Sequence, residues 1–269
     1  MNRKLIFRWI KVLVFIYSLV GILFYYLQDN ILFHPEPLPE DYSYSFSIPH
    51  KELNIPYANK SIMNIIQFQQ PHTNCRGVVL YFHGNKNNIG RYAMYAPYFT
   101  KHGYEVWMID YPGFGKSTGS FTEQNLYDWA LTFYKLARVR FSPDSILIYG
   151  KSLGTGIAAQ LASIRDCKQL ILETPYHDFQ SIVGDWLPIY PLSRMMQFNI
   201  PTWEYLQKVD ASVTIFQGTD DGVVGFNNAK RLEKYLKKNS VFITVKKGNH
   251  NDLYNYPIVT STLDSLLDK

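Results

Sequence analysis

The chain has 269 residues, of which 46% are hydrophobic and 18% charged, so it is long enough to bury one sizeable core in a single main domain. Its two cysteines, Cys75 and Cys167, are too few for a disulfide framework and have no zinc-binding spacing, so we expect them to be free and buried. The net charge is +5, but four of the basic residues lie in the first eleven positions. The rest of the chain has 23 basic and 22 acidic residues, and this near-neutral balance gives no reason to expect a nucleic acid partner.

The first predicted element is an apolar segment at the N-terminus. Residues 12–27 contain no charge, and together with residues 5–10 they approach the roughly 20 residues needed to cross a bilayer. Lys11 can snorkel to the headgroups at one end. A cleavable secretory signal is the alternative, but the apolar part is long and no Ala-x-Ala-like site follows it. The sequence therefore favours a retained single-pass membrane anchor over residues 1–29.

The charges on either side of this segment predict its orientation in the membrane. Basic residues precede it and acidic residues follow it, so the positive-inside rule predicts a cytoplasmic N-terminus, with the remainder on the extracytoplasmic side. The two groups are Arg3, Lys4, Arg8 and Lys11 before the segment and Asp29, Glu36, Glu40 and Asp41 after it. Residues 30–50 are Pro-rich and polar, which is typical of a semi-extended linker. The catalytic domain is then expected over residues 51–269.

Beyond the linker, β-rich runs alternate with helical patterns. We predict strands at residues 62–68, 78–82, 105–109, 146–149, 170–172, 213–216 and 241–245, and helices at residues 91–101, 122–139, 155–164 and 227–238. Strands that are apolar on both faces and alternate with helices indicate an α/β fold, with a mainly parallel sheet covered by helices on both faces. In such sheets the working residues lie at the carboxyl ends of the strands.

Two segments have the Gly-x-Ser-x-Gly pattern of a serine hydrolase nucleophile, GKSTG at residues 115–119 and GKSLG at residues 150–154. A nucleophile elbow needs its serine on a tight turn directly between a strand and a helix, with small residues two positions before and after it. Ser152 meets this requirement, because it follows a predicted strand, is flanked by Gly150 and Gly154, and precedes a helix of small residues. We therefore predict that Ser152 is the nucleophile.

The other serine of this pattern is predicted to be a loop residue. Ser117 lies seven residues beyond Asp110, where its strand ends, and Pro112 interrupts the connection. The helix that follows has its own start signal, a capping box from Ser120 to Glu123. This position does not suit an elbow.

Two other interpretations of these glycines are disfavoured. A P-loop requires a glycine five residues before its Gly-Lys-Ser, where this chain has Asp110 and Ser145. The run Gly154-x-Gly156-x-x-Ala159 resembles a dinucleotide-binding fingerprint, but three residues separate Gly154 from the glycine that ends the strand. We therefore expect no cofactor and no bound metal.

A serine nucleophile needs a base and an acid later in the chain. His250 follows the last predicted strand, and Asp220 and Asp221 follow the strand before it. The order Ser, Asp, His is the one that this architecture uses, although each residue alone is also an ordinary turn residue. Asp178, after an earlier strand, is a further candidate acid. Turn geometry alone does not show whether Asp220 or Asp221 is the acid that contacts the histidine.

Backbone N–H groups must stabilise the oxyanion that such a reaction forms. Leu153 directly follows the nucleophile at a helix N-terminus and supplies the first donor. The second is expected from the loop that follows an earlier strand, where the N–H of Asn85 is the natural donor. We expect His83, in the same turn, to be a structural hydrogen-bonding residue and not a second base.

Taken together, the motifs YFHGN, DYPGFGKSTG, YGKSLGTG, LETPY, GTDDGVV and GNHND resemble those of the α/β-hydrolase superfamily. Within it the chain is similar to the bud-emergence-type membrane-anchored serine hydrolases, including the N-terminal anchor and the juncture LQDNILFHPEPLP. The resemblance implies an α/β-hydrolase fold with a small lid, Ser152 as nucleophile, His250 as base and Asp221 as acid, the last from a Gly-x-x-Asp turn that starts at Gly218. One departure is Gly225, where many relatives have proline.

The sequence gives less information about the substrate. An ester or thioester with a lipid-like acyl chain suits an anchored enzyme best, and the same fold also serves serine peptidases and catalytically silent binding modules. The segment DWLPIYPLSRMMQF has three possible roles: shaping an acyl pocket, resting on the membrane, or packing on the core. We expect a small-molecule or lipid-like substrate and a membrane contact through the N-terminal helix, and no obligate protein partner.

Overall fold

Strands and helices alternate along most of the chain, as described for residues 3–70 and 75–268 by a computed structural model. The strands are β1 (His34–Pro35), β2 (His50–Pro56), β3 (Ile62–Phe68), β4 (Gly77–Phe82), β5 (Lys86–Asn87), β6 (Tyr104–Ile109), β7 (Ile146–Lys151), β8 (Gln169–Glu173), β9 (Ser212–Gly218) and β10 (Val241–Val245). The helices are α1 (Arg3–Leu32), α2 (Ile89–Tyr92), α3 (Pro97–Thr100), α4 (Glu123–Arg138), α5 (Leu153–Ile164), α6 (Phe179–Gly184), α7 (Leu192–Met195), α8 (Thr202–Leu206), α9 (Phe226–Lys230) and α10 (Pro257–Leu267).

The main sheet, counted over the described residues, has eight strands in the order β10-β9-β8-β7-β4-β6-β3-β2. Neighbouring strands from β10 to β6 are parallel, and β3 is antiparallel to both β6 and β2. The mainly parallel sheet is therefore confirmed, and each predicted strand lies in it. The edge strand β2 was not predicted, because its sequence HKELNIP is half polar and half buried.

The strands are apolar on both faces because each face of the sheet lies in a separate core. In β4, Val78, Leu80 and Phe82 pack in the core on the side of α4, α5 and α8. The alternate residues Val79 and Tyr81 pack in the core on the side of α2, α3 and α10. This alternation follows from the two-residue period of a strand.

The helices differ from the predictions mainly in where they begin and end. The predicted capping box is wrong, because Thr122 is the N-cap of α4 and its Oγ1 accepts the Asn125 N–H at 3.2 Å. The carboxylate of Glu123 instead accepts the N–H of Asn199 at 2.6 Å. The helix predicted at 91–101 is divided, since Pro97 starts a new helix, and the one predicted at 227–238 is shortened to α9.

The N-terminal helix continues to Leu32, three residues beyond the predicted end of the anchor, and it is long and apolar enough to cross a membrane. The segment predicted as a linker lies against the domain. The N–H of His34 donates to the Asn85 carbonyl at 2.9 Å, and Phe33 stacks on Phe179 with centroids 5.5 Å apart. Its prolines exclude helix, but paired backbone groups and a buried ring hold it in place.

The two cysteines do not form a disulfide. Cys75 and Cys167 are both free and half-buried, so they are less buried than predicted. The Cys75 Sγ lies 3.4 Å from the carbonyl of Gly77, at the start of β4.

Candidate active site

The turn between β7 and α5 has the geometry of a nucleophile elbow. Ser152 joins the two elements with φ of 50° and ψ of −118°, a strained conformation that non-glycine residues rarely adopt. A Cβ added to Gly154 would lie 2.1 Å from the Phe82 carbonyl oxygen, and one added to Gly150 would lie 2.5 Å from the Gly154 carbonyl oxygen. Glycine at both positions lets α5 approach β4 closely enough to present Ser152 at the edge of the sheet.

Ser152, His250 and Asp221 form one hydrogen-bonded chain. The Nε2 of His250 lies 3.0 Å from the Oγ of Ser152, and its Nδ1 lies 2.9 Å from Oδ2 of Asp221. Because the carboxylate can only accept, Nδ1 donates to Asp221, which leaves Nε2 free to accept the serine proton. All three residues are less than 9% exposed. Such an arrangement can activate a serine hydroxyl for attack on a carbonyl carbon.

The carboxylate of Asp221 is held in its charged form. Its Oδ1 accepts the N–H groups of Val223 and Val224, both at 2.8 Å, and its Oδ2 accepts from Gln217 at 3.1 Å. Burial alone raises the pKa of Asp221, but the hydrogen bond and charge of His250, with the two backbone donors, hold the net pKa below its ordinary value. Asp221 is therefore ionised when it faces the imidazole.

The two other candidate acids are engaged elsewhere. Asp220 is exposed and accepts the Thr219 hydroxyl at 2.7 Å. Asp178 is the N-cap of α6, where it accepts the Ser181 N–H at 2.7 Å, and its other oxygen lies 2.6 Å from Nδ1 of His177. Of these aspartates, Asp221 is the one whose carboxylate contacts His250.

Ser117 is a buried structural residue of its loop. Its hydroxyl donates to the Asp110 carbonyl at 2.7 Å and accepts the Asn64 N–H at 2.9 Å. The neighbouring Gly115 has φ of +51°, and a Cβ there would lie 1.9 Å from Oδ2 of Asp110. The first Gly-x-Ser-x-Gly segment therefore folds as a tight loop that fixes β3 against β6.

The two predicted oxyanion donors border the same cavity as Ser152. The Leu153 N–H is in the first turn of α5, where helix geometry leaves it without an intrahelical acceptor. The side-chain amide of Asn85 donates to the Leu32 carbonyl at 2.7 Å, which fixes the loop that carries its backbone N–H. Within the described ranges, no protein acceptor is bonded to either N–H. Both donors are therefore available to a ligand at Ser152.

The histidine in the same loop is enclosed by protein. His83 is fully buried, its Nδ1 lies 2.7 Å from the Gly84 carbonyl, and its ring stacks on Tyr92 with centroids 5.0 Å apart. Its Nε2 lies 3.2 Å from Oδ1 of Asp110, without the angle of a hydrogen bond. His83 thus packs beneath the Gly84–Asn85 turn and does not line the cavity.

A buried ion pair behind the histidine was not predicted. Lys151, the residue before the nucleophile, pairs with Glu173 at the end of β8, and its Nζ also donates to the His250 carbonyl at 3.2 Å. The other Glu173 oxygen accepts the Tyr149 hydroxyl at 2.6 Å, which in turn accepts from Tyr254 at 3.0 Å. The signal was present in the sequence, because each charged residue follows a run of uncharged, mostly apolar residues in its strand.

A cavity of about 350 Å³ opens over Ser152. Most of its apolar lining comes from the end of α1, from α6 and from the segments beyond α6: Leu32, Phe179, Ile182, Val183, Trp186 and Val224. A second group of lining residues is basic and includes Lys86, Arg91 and Lys151. The cavity is therefore suited to an apolar chain whose reactive carbonyl lies at Ser152.

The sequence of the chain is similar to those of several known proteins. Residues 73–203 match the family described as "Serine aminopeptidase, S33". Alpha/beta hydrolase domain-containing protein 17C of Xenopus tropicalis is 28% identical over 186 residues, which is 67% of this chain and 58% of that protein. Alpha/beta hydrolase domain-containing protein aho-3 of Caenorhabditis elegans is 25% identical, covering 82% of this chain and 68% of its own. The chain thus spans little more than half the length of the first of these relatives.

Solved structures share the fold at low sequence identity. The Pyrococcus furiosus esterase Pf2001 matches with a TM-score of 0.66 and 16% identity over 88% of this chain and 96% of its own. Est1E from Butyrivibrio proteoclasticus, solved with ferulic acid, matches with a TM-score of 0.60 and 16% identity over 79% and 96% of the two chains.

The fold, with an elbow serine and a facing histidine at the carboxyl edge of the sheet, defines the class of the α/β-hydrolases. The chain has the fold of the α/β-hydrolase superfamily, and its sequence is similar to those of hydrolases of that superfamily.

Proposed function

We propose that the protein is a membrane-attached serine hydrolase that cleaves an ester or thioester bond next to an apolar acyl chain. Ser152 is the nucleophile, and His250 acts first as the general base and then as the general acid. Asp221 orients the imidazole of His250 and stabilises its protonated form. The observation that carries this proposal is the 3.0 Å contact between Ser152 Oγ and His250 Nε2 on a strained elbow. Strain at such a position is kept only where the surrounding structure compensates for it.

Acylation follows from these contacts. As the Ser152 oxygen bonds to the substrate carbonyl carbon, its proton moves to Nε2 of His250, and Asp221 stabilises the imidazolium. The N–H groups of Leu153 and Asn85 stabilise the negative oxygen that forms. When the intermediate collapses, His250 returns the proton to the departing alcohol or thiol, and the acyl group remains on Ser152.

Deacylation repeats the sequence with water. His250 removes a proton from the attacking water, the same two N–H groups stabilise the second oxyanion, and Ser152 leaves with the proton from His250. The carboxylic acid is released and the starting state is restored.

The lining of the cavity favours an acyl substrate over a peptide with a free amino terminus. Among the described residues, no aspartate or glutamate lines the cavity, so an α-ammonium group has no carboxylate partner there. Apolar side chains from α1 and α6 instead match a hydrocarbon chain. A peptidase of the same fold is the second candidate because of the family match, and it predicts activity on amides as well as on esters.

We also propose that α1 anchors the protein in a membrane with its N-terminus in the cytoplasm. Its length, its apolar composition and the basic residues at its start support this arrangement. Residues 51–269 then form the catalytic domain on the extracytoplasmic side, and the helix serves as the anchor through residue 29 and continues to Leu32.

Labelling with a fluorophosphonate probe tests the proposal directly. The wild-type chain in detergent should be labelled and should hydrolyse p-nitrophenyl esters. Ser152→Ala should lose the label and about 10⁴- to 10⁶-fold in turnover. The matched control Ser117→Ala changes the serine of the other Gly-x-Ser-x-Gly segment and should keep the label.

An unlabelled wild-type chain would instead favour a catalytically silent binding module. Equal loss of turnover in the Ser117 and Ser152 variants would reject the assignment of the elbow. A series of acyl esters from acetate to palmitate then ranks the substrates, and the apolar lining predicts a rising kcat/KM with chain length.

A further inference from the structure

The cap, defined as residues 185–197, packs along the apolar helix α1. The rings of Tyr17 and Tyr190 are stacked with centroids 4.5 Å apart and an interplanar angle of 2°. The Tyr190 hydroxyl donates to the Tyr17 carbonyl at 2.9 Å, and the Tyr17 hydroxyl donates to the Ile189 carbonyl at 3.3 Å. The cap therefore contacts the middle of the helix that is long enough to cross a membrane.

A second contact fixes the cap at the carboxyl-terminal end of α1. The side-chain amide of Gln28, which is 1% exposed, donates to the Met195 carbonyl at 3.1 Å and accepts the Gln197 N–H at 2.9 Å. Both contacts involve backbone groups of the cap, so the cap and the helix are held together over the stretch from Tyr17 to Gln28.

The length of α1 determines how deep the cap lies if the helix spans a bilayer. An α-helix rises 1.5 Å per residue, so the part before Tyr17, residues 3–16, extends for about 21 Å. The hydrocarbon core of a bilayer is about 30 Å thick. At least about 9 Å of hydrocarbon must then lie beside the part of α1 that begins at Tyr17. Ile189 and Tyr190 are at this level.

The composition of the cap suits that depth. Between Asp185 and Arg194 it has eight consecutive uncharged residues, WLPIYPLS. Trp186 and Ile189 are 60% and 70% exposed, although large apolar side chains are usually buried. The stacked Tyr17 and Tyr190 join the cap to α1, whose apolar side chains are also largely exposed.

Part of the backbone of the cap is hydrogen-bonded within the protein. The N–H groups of Trp186 and Leu187 both donate to the Val183 carbonyl, at 3.0 and 2.9 Å, and the Tyr190 N–H donates to the Leu187 carbonyl at 3.2 Å. Proline at 188 and 191 has no N–H to satisfy. Irregular backbone is tolerated at membrane depth only where it is buried in protein or lines a water-filled cavity, and these bonds satisfy part of the polar groups of the cap within the protein.

The mouth of the cavity is next to the same surface. Three apolar residues line the cavity while remaining largely exposed: Ile31 at 47%, Trp186 at 60% and Val223 at 47%. Ile31 belongs to α1 and Trp186 to the cap, so the two elements expected in contact with lipid also form part of the entrance to Ser152.

From these contacts we infer that the cap inserts into the leaflet beside α1 and that the acyl chain enters the cavity directly from the bilayer. The inference rests on the proposed function and adds the route and the source of its substrate, an acylated amphiphile of the membrane. In this arrangement α1 is both the anchor and one wall of the acyl site. The entering chain passes from lipid to Ser152 without crossing water.

Lipid quenching measures the insertion of the cap independently of catalysis. We would replace Cys75 and Cys167 by serine and alanine, introduce Ile189→Cys, and attach an NBD fluorophore to the full-length chain in phosphatidylcholine vesicles. Doxyl-labelled lipids should quench this fluorophore. The matched control, Val139→Cys at the exposed end of α4, should stay unquenched. If doxyl lipids leave the fluorescence of the probe at residue 189 unchanged, as they should at residue 139, the inference is overturned.

Turnover with two substrates then tests the route of entry. The ratio of rates for a long-chain ester in vesicles and a soluble butyrate ester should fall by at least about tenfold in Ile189→Asp, because a charge in the leaflet opposes insertion. Val139→Asp, at an apolar position that is 82% exposed at the carboxyl-terminal end of α4, should keep the wild-type ratio. An unchanged ratio in Ile189→Asp would reject entry from the bilayer.

The two proposals fail in distinguishable ways. Absence of fluorophosphonate labelling and of butyrate hydrolysis in the wild-type chain rejects the serine hydrolase, whatever the quenching result. Normal labelling and butyrate hydrolysis, with an unquenched cap, rejects only the membrane entry.

Discussion

At the scale of single residues, two adjacent aspartates have different surroundings. Asp221 contacts His250, whereas Asp220 is exposed and bonded to Thr219. Asp221→Asn should lower kcat by roughly 10⁴, because an amide cannot hold the imidazole in the tautomer that accepts the serine proton. Ester turnover of the purified variant at neutral pH checks this prediction, and circular dichroism checks that it is folded.

The neighbouring carboxylates provide the controls. Asp220→Asn and Asp178→Asn should each cost less than about tenfold, since neither side chain contacts His250. A folded Asp221→Asn variant with near-normal turnover, beside an inactive Asp220→Asn variant, would move the acid by one residue.

The buried ion pair of Lys151 and Glu173 is predicted to stabilise the fold next to His250. Both side chains are almost fully buried, and Lys151 also bonds to the carbonyl of His250. Glu173→Gln should lower the free energy of unfolding by about 3–5 kcal/mol, because it leaves a buried ammonium without its counter-charge. Urea titration of the chain in detergent micelles gives the measurement.

A double-mutant cycle separates this coupling from packing. Lys151→Met should destabilise the protein for the converse reason, and the combined Lys151→Met and Glu173→Gln variant should lose clearly less than the sum of the two. Additive losses would show that the charges do not interact as the contacts indicate.

At the scale of elements, the elbow depends on how closely α5 approaches β4. Gly154→Ala would place a methyl group 2.1 Å from the backbone oxygen of Phe82, which cannot move without shifting the strand. The N-terminus of α5 should be displaced and the Leu153 N–H moved away from the oxyanion, so we expect at least about a hundredfold loss of kcat. Steady-state hydrolysis of a p-nitrophenyl ester is sufficient to measure it.

A second glycine gives the matched control for this substitution. Gly225 has open space around its Cα and a negative φ of −54°, so Gly225→Ala should keep turnover within about twofold of the wild type. If both alanine variants lose activity equally, the close approach of Gly154 is not the cause.

The strands were predictable because each is a short apolar run that alternates with a helical pattern. The edge strand β2 was missed because more than half of its residues are polar and none is fully buried. The helix at 91–101 was predicted as one piece, whereas Pro97 starts a new helix within it. Ser152, Asp221 and His250 were predicted to lie together because each follows the end of a sheet strand, and β7, β8, β9 and β10 are consecutive in the sheet. Their catalytic roles remain predictions.

Other features of the site depend on long-range contacts that local patterns do not encode. No periodicity indicates that Gln28 of α1 bonds to the backbone of the cap, 167 residues away at Met195. In the same way, the composition of residues 30–50 predicted a semi-extended linker but not that Phe33 packs on Phe179 of α6 and on Phe198. Proline-rich composition excludes helix and does not exclude docking.

At the scale of the whole molecule, α1 ends packed against the α/β-hydrolase domain instead of at a flexible joint. Leu32 and Phe33 are buried, and β1 pairs with β5 in the loop that follows Asn85. If α1 spans a membrane as proposed, its orientation there also sets the orientation of the candidate active site. We therefore expect the domain to stay on one face of the bilayer.

The charges at the N-terminus predict the side of the membrane on which the domain lies. An N-terminal epitope tag should be stained by antibody only after cells are permeabilised, whereas a tag at the C-terminus, after the exposed Asp268, should be stained on intact cells. The protein should also remain with the membranes after a carbonate wash, because α1 is held by apolar surface and not by surface charge.

A charge variant tests the physical cause of this orientation. Replacing Arg3, Lys4, Arg8 and Lys11 by glutamine removes the basic residues without altering the apolar stretch, so the chain should still insert but in both orientations, and part of the C-terminal tag should become inaccessible on intact cells. Replacing the lysines Lys237 and Lys238 by glutamine, far along the chain, should leave the staining unchanged. Staining of the wild-type C-terminal tag only after permeabilisation would reverse the predicted topology, and a shortened chain released by the carbonate wash would indicate a cleaved signal.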